Sequence, residues 1–123
     1  MTTFKEALKT YLKALEGRDI DTLLKFLPAE GGEVVLILPD GSMDKSRDKF
    51  VEGHIEWFKD DKWTQTGRVI NTIESGEMAV ATVKYVYDDG SGEVMDALLG
   101  MVFRKTDSGW LLVHDQNTPV KAG

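Results

Sequence analysis

Apolar residues recur at the start of the chain with the spacing of one helix face. Phe4, Ala7, Leu8, Tyr11, Leu12 and Leu15 form a single stripe, and Thr3 with Glu6 reads as a capping box in front of it. Gly17 can end that helix. A second is predicted to begin with Asp19 as its cap, to present Ile20, Leu23, Leu24 and Leu27, and to stop before Pro28. Glu30-Gly31-Gly32 then reads as a turn. Val34 to Leu38 reads as a short, mostly β-branched strand buried on both faces, and Pro39-Asp40-Gly41 as a further turn. A third helix is predicted from about Asp44 to Phe58. Its broad stripe of Phe50, Val51, His54, Ile55, Trp57 and Phe58 turns His54 inward or to the stripe's edge.

The second half switches to strand composition, with runs near 66 to 74, 78 to 88, 94 to 106 and 110 to 117. The breaks are Ser75-Gly76, Asp89-Gly90-Ser91-Gly92 and Asp107-Ser108-Gly109. Four strands in succession predict an antiparallel meander, and helices followed by strands predict an α+β domain with the helices on one sheet face. The 97 to 103 strand carries Ala97, Leu99, Met101 and Phe103 on one side and Leu98, Gly100 and Val102 on the other, so both faces call for burial. One layer of helices covers one face only. A homodimer through the outer sheet face is therefore expected, against the plainer alternative that loops cover it.

With 123 residues the chain has the length of one domain, here taken as 1–123, and the 41% of hydrophobic residues suffices for one core. No apolar run approaches the ~20 residues of a bilayer span, so no membrane partner is expected. The formal charge of -6, with no cluster of Lys or Arg, argues against nucleic acid. There is no cysteine, and the first residues lack the basic and apolar regions of a secretory signal, so a cytoplasmic location is expected. Two histidines without a His-x-x-x-His or cysteine cluster predict no metal site. Asp88 to Glu93 lacks the alternating ligands of a calcium loop and reads as a hairpin loop. No phosphate loop or nucleophile elbow is present, and no cofactor is expected.

The ending carries the most information. An apolar strand closing on His114-Asp115-Gln116-Asn117-Thr118 sets ionisable and amide groups at the rim of a hydrophobic sheet, where a small-molecule pocket could be lined. The stretch Gly109-Trp110-Leu111-Leu112-Val113-His114-Asp115-Gln116-Asn117-Thr118 is similar to a family ending of Gly-x-Trp, two or three apolar residues, His, x, His, x, Ser. Together with Leu15-Glu16-Gly17-Arg18-Asp19 between the first helices and the helix from Asp44 to Phe58, it resembles the nuclear-transport-factor-2-like (NTF2-like) superfamily. Within that superfamily it is similar to the SnoaL-like group, which includes the association domain of calcium/calmodulin-dependent kinase II. The resemblance spans nearly the whole chain. It implies a cone of three N-terminal helices packed on a strongly curved, mainly antiparallel sheet. Different members use the enclosed pocket for isomerisation, hydrolysis, cyclisation, dehydration or binding alone, and fold does not choose among these.

Departures from the family narrow the choice. The kinase association domains carry His where Gln116 stands and Arg where Asn117 stands, and that Arg helps to make their pocket cationic. Here a neutral amide lies beside an acid, so an anionic ligand is disfavoured unless Arg68 or Arg104 replaces the lost charge. Tyr11 matches the helix-borne tyrosine of the ketosteroid isomerases, which share the fold. Their base position, however, falls on Leu38 before Pro39, and their acidic donor falls among Leu98, Leu99 and Gly100. Without a base, isomerase chemistry of that type is disfavoured.

The remaining candidates are few. Asp115 and Asn117 are expected to share a strand face with Leu111 and Val113; in an apolar cavity Asp115 would have a raised pKa and act as acid or base. The plainer role is a hydrogen-bond acceptor at a strand end. His114, on the face of Trp110, Leu112 and Gln116, is expected to be structural or at the dimer interface. His54 is the other group able to enter the pocket and to complete a proton-transfer pair with Asp115, although a packed core histidine is the more frequent case. Tyr11, Trp57, Met101 and Asn117 are the expected ligand-binding residues, and Trp57, Phe58 and Trp63 a possible aromatic wall. Three function classes follow. The first binds a small, largely apolar molecule of unknown identity. The second is a cofactor-free acid-base enzyme using Asp115 and His54, and the third a dimerisation module whose cone is filled by Tyr11, Trp57 and Met101.

Overall fold

The computed structural model describes residues 2–29 and 32–120, so Glu30 and Gly31 of the expected turn lie outside the described residues. Helix α1 spans Phe4–Glu16 and buries Phe4, Ala7, Leu8, Tyr11, Ala14 and Leu15. Its cap is Thr3, whose Oγ1 accepts from the Glu6 N–H at 3.2 Å. A short α2, Ile20–Leu24, follows the Asp19 cap, whose Oδ1 accepts from the Thr22 N–H at 3.2 Å. Between them Arg18 adopts the left-handed region at φ 55. The guanidinium donates to the carbonyls of Asp60 and Trp63 and stands 4.3 Å over the Trp63 ring. Those contacts tie the helical corner to the segment after the third helix and hold a costly backbone conformation in place.

Strand β1, Val35–Ile37, turns through Pro39-Asp40-Gly41 into a two-residue β2, Met43–Asp44, with Leu36 opposite Asp44. Helix α3 therefore begins later than its apolar pattern predicts, spanning Arg47–Phe58 behind a Ser46 cap whose hydroxyl accepts from the Lys49 N–H at 3.2 Å. Asp44 belongs to a strand and not to the helix, because pairing with β1 satisfies its backbone while Ser46 supplies the cap. The inward stripe of α3 is also narrower than expected: Phe50 and His54 are buried, whereas Ile55 is 39% exposed.

The four long strands are β3 (Thr64–Ser75), β4 (Met78–Asp88), β5 (Val94–Thr106) and β6 (Gly109–Pro119). They form the predicted meander inside a curved six-stranded sheet of order β2-β1-β6-β5-β4-β3, in which β1 runs parallel to β6 and the other pairs are antiparallel. The core lies between α1 and the inner sheet face. Phe103 and Trp110 meet Phe4 at ring-centroid distances of 5.4 and 5.1 Å, and Tyr11 meets Phe103 at 5.7 Å.

Register corrects the expected facing of β6. Met101 lies opposite Asp115 and Val102 opposite His114, but Phe103 lies opposite Leu112, so β6 carries one extra residue at Val113. A bulge of this kind inverts the alternation beyond it. Asp115 and Asn117 consequently share the inner face with Trp110 and Leu112, and not with Leu111 and Val113. His114 and Gln116 lie on the outer face. Just beyond β1, the Leu112 N–H leaves the sheet and donates to the Phe26 carbonyl at 2.6 Å, which anchors the bulge to the end of α2.

The loop between β4 and β5 is a hairpin loop, closed by the Asp89 N–H donating to the Glu93 carbonyl at 3.1 Å. Gly90 has φ +85 and presses against the Lys62 carbonyl. A Cβ there meets both a disfavoured backbone region and a backbone oxygen. Gly90→Ala is expected to lower stability by about 2 kcal/mol or more, read as an earlier urea midpoint at unchanged slope.

Candidate functional site

A cavity of about 330 Å³ opens between α3, the β1–β2 end and the inner face of β4 to β6. Its apolar wall comes from Leu15 of α1, Leu36, Leu38 and Pro39 around β1, Met95 and Leu99 of β5, and the Trp57 ring of α3. The polar groups are Asp44, His54, Gln65, Tyr85, Tyr87, Asp115 and Asn117. Parallel pairing of β1 with β6 places Leu36 beside Asp115, so the carboxyl is framed by aliphatic neighbours.

Asp115 is buried, at 4% exposure. A single hydrogen bond reaches its side chain among the described residues, from Asn117 Nδ2 to Oδ1 at 3.3 Å. The same Nδ2 donates to the Ile37 carbonyl at 3.0 Å, while the Tyr85 hydroxyl donates to Asn117 Oδ1 at 2.7 Å. That last bond fixes the amide's orientation, because a hydroxyl proton seeks the oxygen and leaves the NH2 for the acid. Burial pushes the Asp115 pKa from 3.8 up to about 7, and the Asn117 bond pulls in the opposite direction. Its charge in turn adds to burial in raising the pKa values of Tyr11 and of Tyr85, the latter to about 12, so both phenols stay protonated.

His54 combines the packed and the cavity-lining roles. It stacks on Phe50 at 4.0 Å and meets Trp57 edge-on at 5.8 Å, yet it lines the cavity. Its Nδ1 lies 2.8 Å from the Phe50 carbonyl, an acceptor only, which assigns the proton to Nδ1 and leaves Nε2 as the ring's acceptor. Burial holds the His54 pKa below 6.5, opposed by the Phe50 carbonyl and by Asp44. The usual order of basicity is thus compressed or inverted: the carboxyl keeps its proton to near neutrality while the imidazole stays neutral.

The expected residues divide in two. Asp115, Asn117, His54 and Trp57 line one cavity. Tyr11 and Met101, expected to bind ligand, do not line it; both are fully buried deeper in the cone, where Tyr11 packs against Phe26 at 5.6 Å and against Phe103. The Tyr11 hydroxyl has no hydrogen-bond partner among the described residues. Trp63, expected in an aromatic wall, is buried behind Trp57 at 4.2 Å, and Phe58 likewise lies outside the lining. Leu38 and Leu99, at or beside positions where ketosteroid isomerases carry acids, are in the lining, so the positions are at the cavity and the acids are absent. Arg68 and Arg104 are exposed and do not replace the missing cation. Sequence reasoning missed Asp44, Gln65, Tyr85 and Tyr87. Tyr85 and Tyr87 were accessible to it, since period two from Ala81 and Val83 puts both on the inner face.

A model of the SnoaL-like domain matches residues 5–119. The chain belongs to the SnoaL-like family, within the NTF2-like superfamily. Solved structures agree with this SnoaL-like fold at low identity. A candidate calcium/calmodulin-dependent protein kinase type II association domain from Thiobacillus denitrificans has 18% identity and TM-score 0.82, with 98% of each chain covered. A candidate NTF2-like dehydratase from Streptomyces avermitilis has 20% identity and TM-score 0.79, covering 94% of this chain and 92% of that one. A ketosteroid isomerase-like protein from Erwinia carotovora atroseptica has 17% identity and TM-score 0.70, covering 95% and 93%. Such likeness shows the fold alone. No curated protein matches the sequence. Among the described residues of this SnoaL-like domain, no group of His, Asp and Glu is placed to hold a metal ion, and no helix is long and apolar enough to cross a membrane.

Proposed function

We propose that this SnoaL-like domain binds a small, largely apolar molecule in its cone, with Asp115, Asn117 and His54 as the polar contacts. The observation that carries this reading is an open cavity with a mostly aliphatic and aromatic wall on which these three side chains converge. It weighs against a vestigial cone filled by Tyr11, Trp57 and Met101. The cytoplasmic location inferred from the sequence belongs to the same reading.

A thermal-shift series of neutral aromatics, terpenoids and cyclic ketones tests it, run against the wild type and Leu38→Trp. Leu38 is a half-buried lining residue, and an indole there occupies the ligand's space. Binding is expected to raise the midpoint of the wild type and not of Leu38→Trp, by mass action. Equal shifts in the two proteins place binding elsewhere and overturn the reading.

A second reading, a cofactor-free acid-base enzyme, is favoured by one observation: Asp115 and His54 share the cavity and both have shifted pKa values. With a pKa of about 7, Asp115 is divided between acid and base at neutral pH, where proton transfer is most effective. His54, held as the Nδ1 tautomer, offers Nε2 to receive or return a proton. Turnover abolished by Asp115→Asn with ligand binding retained would separate this reading from binding alone.

Association into a homodimer through the outer sheet face completes the proposal. A row of directly paired residues, Ile73, Val80, Val102 and His114, crosses four strands of that face.

A further inference from the structure

The cavity is unbalanced in charge. Two carboxyl side chains, Asp115 and Asp44, contribute to its lining, and neither Lys nor Arg does. Buried Asp115 has one neutral donor, the Asn117 amide at 3.3 Å, and no cation. A buried carboxylate is normally paired, since burial without a counter-charge is costly. Around it stand aromatic side chains: Trp57, Tyr85 and Tyr87 line the same space, with the Trp57 indole N–H donating to the Tyr87 hydroxyl at 3.4 Å. One face of Trp57 is backed by Trp63, and the far face of that aromatic pair already carries a cation, the Arg18 guanidinium. The protein thus uses this stack outside the cavity for the interaction that the cavity itself leaves open.

We propose that the ligand of this cavity is a small organic cation, an alkylated ammonium whose charge pairs with Asp115 and whose methyl groups rest on Trp57, Tyr85 and Tyr87. This rests on the pocket reading above and names its ligand class. A neutral apolar ligand buries surface but leaves the acid unpaired. An anion meets two carboxyls. A quaternary or tertiary ammonium satisfies both halves of the lining, because its positive charge is spread over an apolar surface that aromatic faces attract. Binding requires Asp115 ionised, so the ligand competes with a proton. The groups facing Asp115 are the Tyr11 phenol from α1 and the Tyr85 phenol from β4. His54 from α3 and Asp44 from β2 share the cavity. Of these only His54 becomes positive on acidification, which opposes the ligand in the same direction.

Calorimetric titration with choline, with benzyltrimethylammonium, and with choline's uncharged tert-butyl isostere tests the assignment. The cations are expected to bind at least tenfold more tightly than the isostere at about pH 8. At about pH 6 they should release close to one proton per site, seen as a heat that depends on the buffer's ionisation enthalpy. Asp115→Asn should remove both the preference and the proton release. Trp57→Leu should weaken the cations more than the isostere. Isostere binding equal to that of the cations, or an undiminished preference in Asp115→Asn, overturns the ammonium assignment and leaves the small-molecule pocket standing. No binding of either kind up to millimolar concentration, together with no shift in the neutral series above, overturns both.

Discussion

Asp115→Asn is expected to raise the melting midpoint by on the order of 10 °C at about pH 8 and to change it little at about pH 4. The folded chain holds the Asp115 proton to about 7, against 3.8 for the free side chain. Because the folded pKa is raised, the stabilisation belongs to the neutral acid. It is complete below the unfolded value and is lost as pH climbs through about 7. A difference of this size corresponds to about 4 kcal/mol at alkaline pH, when the buried group is ionised in both states. Asparagine is nearly isosteric with the neutral acid and cannot ionise; its Oδ1 can still accept from Asn117. His54 acts in the opposite sense. Its folded pKa lies below 6.5, so stability is lost as pH falls beneath that value, against the trend set by Asp115. Thermal unfolding followed by circular dichroism between about pH 4 and pH 8 checks this. Parallel profiles for variant and wild type would mean that Asp115 ionises normally in the folded state, and would remove the physical basis for acid-base chemistry in the cavity.

Local pattern carried the architecture. The predicted strand limits 78 to 88 and 94 to 106 coincide with β4 and β5, because period-two alternation and the Gly-rich turns beside them point to one answer. Thr3, Asp19 and Gly17 mark helix ends by side-chain and backbone chemistry that is local by nature. What depends on distant partners was not legible. The β6 bulge forms where the Leu112 N–H donates to the carbonyl of Phe26, in the turn after α2 and remote in sequence, and nothing in Leu111-Leu112-Val113 announces it. Asp44 became a strand residue only because β1 was there to pair with it. The site followed the same division. Asp115, Asn117 and His54 were singled out as rare polar groups in apolar surroundings, a property of sequence. Tyr11 and Met101 have equally apolar surroundings, but depth along a cone is not written in a period of 3.6 or 2. Both lie beneath the cavity rather than in its wall.

Val80→Glu is expected to convert a dimer of this chain into a monomer while leaving its fold intact. On the outer sheet face Ile73 pairs with Val80, Val80 with Val102, and Val102 with His114, so one row, apolar from β3 to β5, ends on His114 in β6. The row beside it, Asn71, Thr82, Gly100 and Gln116, is small at its centre, and no side chain rises from Gly100 to hold a second sheet away. Ile73 is 60% exposed, Val80 40% and Leu98 37%, an apolar surface of the kind that a symmetric partner buries. A two-fold contact through this face would duplicate every residue, so one glutamate at Val80 would set two like charges into it, on a chain whose formal charge is already -6. In an isolated subunit the same side chain reaches water from an exposed strand position, at a cost of about 1 kcal/mol or less. Sedimentation equilibrium distinguishes the two cases: twice the chain mass for the wild type and the chain mass for Val80→Glu, with unchanged far-ultraviolet circular dichroism. A wild type that sediments as a monomer at tens of micromolar would sink the dimer. A variant that remains dimeric would move the interface off this face and free His114 of its expected place there.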